Sequence, residues 1–318
     1  MRMTVALPSF DQIRDAAARI APHARVTPVL HSDALDALAG ATLHFKCENL
    51  QRGGAFKFRG ACNAVWALDA AAAARGVVTH SSGNHGNALA QAAATRGIRA
   101  HVVVPEGAVR AKLQAIERAG AVLHRCAPTQ AAREATTAQL VHDTGAVLVH
   151  PYADTQVMAG QGTLALELLT QAPHLDAIVT PVGGGGLASG VAIAAHALRP
   201  ALALYAAEPA GADDAARSLL RGERVTDVVP DTLCDGLRAL IGETNLAALR
   251  EHHVEVITVG DEETIAAMRL LWQELKLVVE VSSATAFAAI LKAKARLAGR
   301  RIGVVLTGGN VDLDALPW

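Results

Sequence analysis

The sequence predicts an α/β protein built on mostly parallel sheets with helices on both faces. Three observations predict it. Short β-branched apolar runs alternate with helix-period segments over nearly all 318 residues, the signature of repeated β–α units. Many runs are apolar on successive positions, as in strands covered on both faces. Several runs end in a polar or glycine-rich turn that leads into a helix, where open α/β sheets bind ligands.

In chain order, strands are predicted for TLHFKCE (42–48), GVVTH (76–80), AHVVVP (100–105), AVLHRC (121–126) and AVLVHP (146–151). They continue with AIVTPVG (177–183), ALALYAAEP (201–209), VEVITVG (254–260) and IGVVLTGG (302–309). Helices are predicted at 60–74, 86–96, 128–143, 157–171, 187–198, 261–274 and 283–297. No internal repeat or low-complexity linker interrupts this order, so composition marks no domain boundary.

The bulk properties exclude several classes. The hydrophobic fraction of 51% supplies a substantial core, unlike a disordered chain. A net charge of −1, with scattered basic residues, gives no footprint for nucleic acid or an anionic membrane. The four cysteines (Cys47, Cys62, Cys126, Cys234) form no CxxC, so neither a zinc site nor a disulfide framework is indicated. A reducing, cytoplasmic setting is expected. The N-terminal segment has no signal-like apolar stretch, and no run of about 18 apolar residues suggests a membrane span.

Four motifs could carry chemistry. In AFKFRGA, Lys57 follows Gly53-Gly54 and lies between Phe56 and Phe58. Burial lowers a lysine pKa, and a neutral amine is what Schiff-base chemistry needs. The segment alone reads equally well as a surface lysine beside an arginine. In SSGNHG (81–86), two glycines, two hydroxyls, an amide and an imidazole lie between a strand and a helix. That composition suits an anion cradle, with an ordinary capped turn as the alternative. Gly183-Gly184-Gly185-Gly186-Leu187 also joins a strand to a helix. Four glycines cost chain entropy, and close backbone approach to a phosphate is the economical reason to keep them. The run is neither a GxGxxG dinucleotide motif nor a P-loop. Thr307-Gly308-Gly309-Asn310 places a hydroxyl after the last strong strand, where a simple turn would also fit.

Taken together, FKFRGA, SSGNHG, GGGGL, EPAGADD and TGGNVDL, in this order, resemble the serine/threonine dehydratase and serine racemase family. These are pyridoxal-phosphate enzymes of the tryptophan-synthase-β fold type, and the resemblance covers roughly residues 8 to 314. It implies two three-layer α/β/α domains with the cofactor in the cleft between them. Residues 1–50 and 152–318 would form the large cofactor-binding domain, and 51–151 a small, mobile, substrate-side domain.

The resemblance also implies roles. Lys57 would carry the cofactor as a Schiff base and act as base on the substrate Cα proton. Ser82 would face the other side of the cofactor as a second acid/base. Phe56 would pack beside the ring, Asn84 would bond its hydroxyl, and Thr307 would face the pyridine nitrogen. A neutral hydroxyl there leaves the nitrogen largely unprotonated, which suits elimination better than transamination. Gly183, Gly184, Gly185, Gly186 and Leu187 would offer N–H groups to the phosphate. Ser81, Asn84 and His85 would hold the substrate carboxylate, and Arg133 is a further substrate contact. Glu208, the Ala212 carbonyl and Asp214 resemble a site for Mg²⁺, Mn²⁺ or Ca²⁺, against a solvated acidic helix start.

The implied reaction converts a β-hydroxy amino acid such as L-threonine or L-serine to a 2-oxo acid and ammonia. Racemisation and 3-hydroxyaspartate dehydration are the alternatives. β-Replacement is disfavoured, because SSGNHG differs from the TSGNTG-like turn of cysteine synthases. Arg238 could read a second substrate carboxylate, but a structural ion pair is the simpler expectation. A homodimer is expected, and feedback inhibition by isoleucine is not. Ala55 and Val281 stand where the family usually has serine and proline, and Thr307 where it commonly has serine or cysteine. These departures bear on the substrate.

Overall fold

A computed structural model describes residues 6–108 and 110–318. Residues 1–5 of the expected large domain therefore lie outside the described residues. Among the described residues ten strands form: β1 (Val29–Leu30), β2 (Thr42–Cys47), β3 (Val77–His80), β4 (Ala100–Pro105), β5 (Val122–Cys126), β6 (Val147–Leu148), β7 (Ala177–Pro181), β8 (Ala203–Pro209), β9 (Glu255–Val259) and β10 (Arg301–Leu306). They make two sheets, a six-stranded one ordered β1-β2-β10-β7-β8-β9 and a four-stranded one ordered β5-β4-β3-β6. Every pairing is parallel except β1 with β2.

The predicted strands are recovered with shorter ends, for physical reasons. The 146–151 run pairs regularly only at β6. Val149 N–H still donates to the Val78 carbonyl at 2.9 Å, and Pro151 has no N–H with which to continue. The 302–309 run stops at Leu306 because Gly308 leaves to bridge Ala55. The predicted helix 60–74 is two helices, Lys57–Ala67 and Ala70–Arg75. Leu68 is extended, and the Asp69 side chain caps the second helix by accepting from Ala72 N–H. The 283–297 stretch likewise divides into Val281–Lys292 and Lys294–Leu297.

Small residues let the site-bearing helices pack closely. A Cβ on Gly160 would lie 2.6 Å from the Arg59 carbonyl oxygen, and one on Gly190 would lie 2.4 Å from that of Met158. The helices Lys57–Ala67, Thr155–Gln171 and Gly186–Leu198 are thus locked at backbone distance. The four cysteines are buried and unpaired. Among the described residues, no helix is long and apolar enough to cross a membrane.

Candidate active site

Parallel pairing puts β10 beside β7, so the turns after both strands emerge side by side. The segment before Lys57 is zipped onto the turn after β10. Ala55 bridges Gly308, Phe56 N–H donates to the Thr307 carbonyl at 3.0 Å, and Gly309 N–H donates to the Gly54 carbonyl at 2.9 Å. Gly53 and Gly54 turn the chain into this pairing at φ +70° and +72°, a region that favours glycine. Lys57 and Thr307 are brought together in this way.

Lys57 begins its helix half-buried. Its Nζ donates to the Pro151 carbonyl at 2.9 Å and sits 5.1 Å from the centre of the Phe56 ring. Burial pulls the ammonium down to about 8, opposed in part by Glu280. The amine therefore titrates close to neutrality.

The 81–86 turn leaves β3 and opens the helix Asn84–Arg96. A Cβ on Gly86 would fall 2.0 Å from the Ser81 carbonyl oxygen, so the turn closes only around glycine. Ser82 is half-buried, and its hydroxyl meets no partner among the described residues. Asn84 Nδ2 donates to both carboxylate oxygens of Glu280 at 2.9 and 3.1 Å, while its Oδ1 accepts from Asn310 Nδ2 at 2.8 Å.

His85 is buried. Its Nε2 pairs with the Val149 carbonyl at 3.2 Å, which assigns the proton to Nε2, while Nδ1 has no partner among the described residues. Burial, then the Lys57 charge, hold the imidazole well below its ordinary range. The neutral ring thus turns its N–H toward Val149 and has none left for a carboxylate.

The glycine run rises from β7 into the helix Gly186–Leu198. A Cβ on Gly184 would lie 2.4 Å from the Tyr152 ring, and Gly185 has φ +91°. Among the described residues, the N–H groups of Gly183, Gly184 and Gly185 find no acceptor. Free N–H groups at a helix start, with no side chain in the way, fit a phosphate. Leu187 follows in the first turn, buried in the core. Thr307 is buried, and its hydroxyl is unpartnered among the described residues. These groups fit the phosphate and ring of pyridoxal phosphate.

Residues that the sequence reading passed over complete the site. His150 packs edge-on between His80 and Tyr152, at centroid distances of 5.3 and 4.6 Å. Burial, then His80 and Lys57, depress His150 to about 4, so it is neutral. Its Nδ1 accepts from Ala153 N–H at 3.0 Å. Glu280 precedes the helix Val281–Lys292 as an acid in a run of valines, a signal the sequence carries. Asn310 shows in the sequence only as part of a turn.

The remaining expected residues lie farther out. Arg133 is on the helix Gln130–Thr144, with its Nε buried and unpartnered among the described residues. Its charge reaches His80. Arg238 forms no ion pair among the described residues. Its Nε and Nη2 both donate to the Thr232 carbonyl, at 3.0 and 2.6 Å. This corrects the expected ion pair and leaves Arg238 as a local brace.

Glu208 ends β8 and accepts from Ala215 and Ala216 N–H, both at 2.8 Å. Burial raises it to about 8, with Asp214 adding to the effect. Asp214 is also raised, chiefly by burial, and accepts from Ile241 N–H at 2.6 Å. Ala212 is buried beside them in the turn Ala210–Ala212. Among the described residues, no trio of histidine, cysteine or acidic side chains gathers as for a metal. The expected set is two carboxylates and a carbonyl, and two buried acids with no ion pair among the described residues fit a divalent ion.

Known proteins place this arrangement. The family described as "Pyridoxal-phosphate dependent enzyme" matches residues 20–308. The chain is 48% identical to a beta-hydroxyaspartate dehydratase of Paracoccus denitrificans, over 98% of this chain and 99% of that protein. It is 47% identical to a serine racemase of Dictyostelium discoideum, over 97% and 96% of the two chains. Maize serine racemase superposes with a TM-score of 0.94 at 43% identity, covering 96% of this chain and 95% of the other. The fold is the type II fold of pyridoxal-phosphate enzymes. The chain belongs to the pyridoxal-phosphate dependent enzyme family, among its serine/threonine dehydratases and serine racemases.

Proposed function

We propose that the chain is a pyridoxal-phosphate-dependent ammonia-lyase that converts a β-hydroxy amino acid to a 2-oxo acid and ammonia. The observation that carries this reading is Lys57, an amine lowered to about 8 and joined by hydrogen bonding, among the described residues, only to a carbonyl, beside a helix start suited to phosphate. Pyridoxal phosphate, when bound, supplies an electrophile for amines and an electron sink for the substrate Cα.

The chain's own residues supply the rest. Lys57 attaches the cofactor and then takes the Cα proton. Gly183, Gly184, Gly185, Gly186 and Leu187 hold the phosphate through N–H groups. Asn84 faces the ring hydroxyl, Thr307 the ring nitrogen, and Phe56 the ring edge. The Ser81–Asn84 turn holds the substrate carboxylate. His85 braces that turn against Val149 without donating to the substrate. His85 and His150 are neutral and add no like charge beside Lys57, so burial is what keeps its amine available as a base. The β-hydroxyl leaves as water, and water later releases ammonia, so serine yields pyruvate and ammonia in balance.

Two further readings rest on specific residues. Ser82, with its unpartnered hydroxyl, could return a proton to the opposite face, which is racemisation. The unpartnered Nε of Arg133 favours a substrate with a second carboxylate, such as 3-hydroxyaspartate. The relative named a beta-hydroxyaspartate dehydratase supports that choice. Glu208, Ala212 and Asp214 are proposed to hold Mg²⁺, Mn²⁺ or Ca²⁺. Residues 51–151 are proposed to move as a small unit against 1–50 and 152–318, and the working form to be a cytoplasmic homodimer.

Incubating the cofactor-loaded protein with L-serine, L-threonine or threo-3-hydroxyaspartate, and assaying 2-oxo acids and D-amino acids together, tests the reading. 2-Oxo acid is expected as the main product, and D-amino acid alone would make it a racemase. Arg133→Ala should lower kcat/KM for 3-hydroxyaspartate by about 10- to 100-fold and spare serine. Equal loss on all three substrates would remove Arg133 from substrate choice.

A further inference from the structure

Glu280 is a buried acid, 6% exposed, with no ion-pair partner among the described residues. Burying an acid without an ion pair is costly, and such perturbed groups cluster at functional sites. Its surroundings are fitted to it. A Cβ on Gly308 would lie 2.7 Å from Oε1, and one on Gly236 would lie 3.9 Å away.

Both oxygens accept from Asn84 Nδ2, which therefore faces Glu280. Asn310 Nδ2 donates to Asn84 Oδ1 at 2.8 Å and to the Gly53 carbonyl at 2.8 Å. The Asn84 amide is thus oriented from both ends. The charged groups facing Glu280 come from three elements. Asp235 comes from the turn Asp235–Leu237, Lys112 from the helix Arg110–Arg118, and Lys57 from its own helix start. Lys112 is ion-paired with Asp235.

The bonding pattern depends on the Glu280 proton. An ionised carboxylate accepts on both oxygens, whereas a protonated one must donate from one of them. An O–H aimed at Asn84 needs its carbonyl. The amide would then turn over, lose the Asn310 bond and carry its N–H elsewhere.

We propose that Glu280 is a positioning residue whose protonation sets which end of the Asn84 amide faces the cofactor ring. The proposal rests on the functional reading above, in which Asn84 lies at that ring. Burial, with Asp235 adding to it, raises Glu280 to about 7, so the change falls within the neutral range.

The test is a pH titration of the visible absorption of the cofactor-loaded protein without substrate. The wild type is expected to change its band position or intensity through neutral pH. Glu280→Gln, which can donate and accept at every pH, should retain the cofactor and abolish that transition. Its kcat/KM on L-serine should fall roughly ten-fold and lose the neutral limb of its pH profile. A merely structural Glu280 would lower Tm and leave the spectral transition in place, which would overturn the proposal. If Glu280→Gln does not fold, Asn310→Ala frees one end of the amide. It should shift the midpoint by roughly one unit, and an unmoved midpoint overturns the proposal equally. A wild type with no cofactor band would overturn the functional reading and this inference together. An unchanged titration of a normal band would overturn this inference alone.

Discussion

Lys57 and Arg59 stand two residues apart on one helix and are treated in opposite ways. Arg59 is completely buried and met by two carboxylates. Its Nε and Nη2 donate to Glu48 at 2.7 and 2.8 Å, and its Nη1 and Nη2 donate to Glu167 at 2.7 and 2.8 Å. Burial works against its charge, but the two acids outweigh burial and hold it above its ordinary range. Lys46 joins the same network through Glu167, Gln171 and the Thr27 carbonyl. Among the described residues, Lys57 hydrogen-bonds only to the Pro151 carbonyl and lies over the Phe56 ring. One face of the helix binds a permanent charge to anchor it. The other gives the amine no ion pair among the described residues, so burial outweighs the charge of Glu280 and the amine can lose its proton.

The comparison can be broken most sharply at Arg59. Arg59→Met leaves Glu48 and Glu167 facing each other with only Lys46 beside them, and should cost about 3–5 kcal/mol in urea unfolding. Lys57→Met should act in the opposite direction in cofactor-free protein. A lysine lowered to about 8 opposes folding below that pH, and its penalty fades as pH rises toward the ordinary lysine value. Removing it should stabilise by on the order of 1 kcal/mol at neutral pH, with the gain shrinking at alkaline pH. A Lys57→Met variant as unstable as Arg59→Met would show that the two sites are not different in kind.

A smaller effect sharpens the comparison from the acidic side. Glu208 has no counter-cation among the described residues and is raised to about 8. A raised carboxyl favours the folded state only while protonated, so stability falls as pH climbs from the ordinary glutamate range toward that value. A divalent cation should reverse the loss. Above about pH 8, millimolar Mg²⁺ should raise Tm by a few degrees, and Glu208→Gln should abolish the rise. An identical rise in the variant would place the cation elsewhere.

Much of the fold was legible because its buried strands are apolar on both faces, as at AIVTP in β7 and RIGVVL in β10. The unpredicted elements lack that signal or carried a weaker one. β1 has two residues and exists only by pairing with β2. The helix Phe10–Ile20 begins with a capping box between Ser9 and Gln12, which was available to be read. The helix Asp214–Arg221 follows the EPAGADD stretch, which the sequence offers as metal ligands or an acidic helix start with no helical period to give its length. The glycine run and the SSGNHG turn were legible because their composition is costly without a ligand. The neutrality of Lys57 was not, because the burial that lowers it comes from distant parts of the chain, Pro151 among them, and outweighs the opposing charge of Glu280. Nor was the Glu280–Asn84–Asn310 chain, since an amide's orientation is a property of contacts and not of sequence.

The claim that Lys57 is the cofactor's lysine is tested most directly by reducing the cofactor-loaded protein with borohydride and mapping the modified residue by mass spectrometry. The account predicts one reduced pyridoxyl adduct, on Lys57. An adduct on Lys46 or any other lysine, or none on protein with a visible cofactor band, would contradict it.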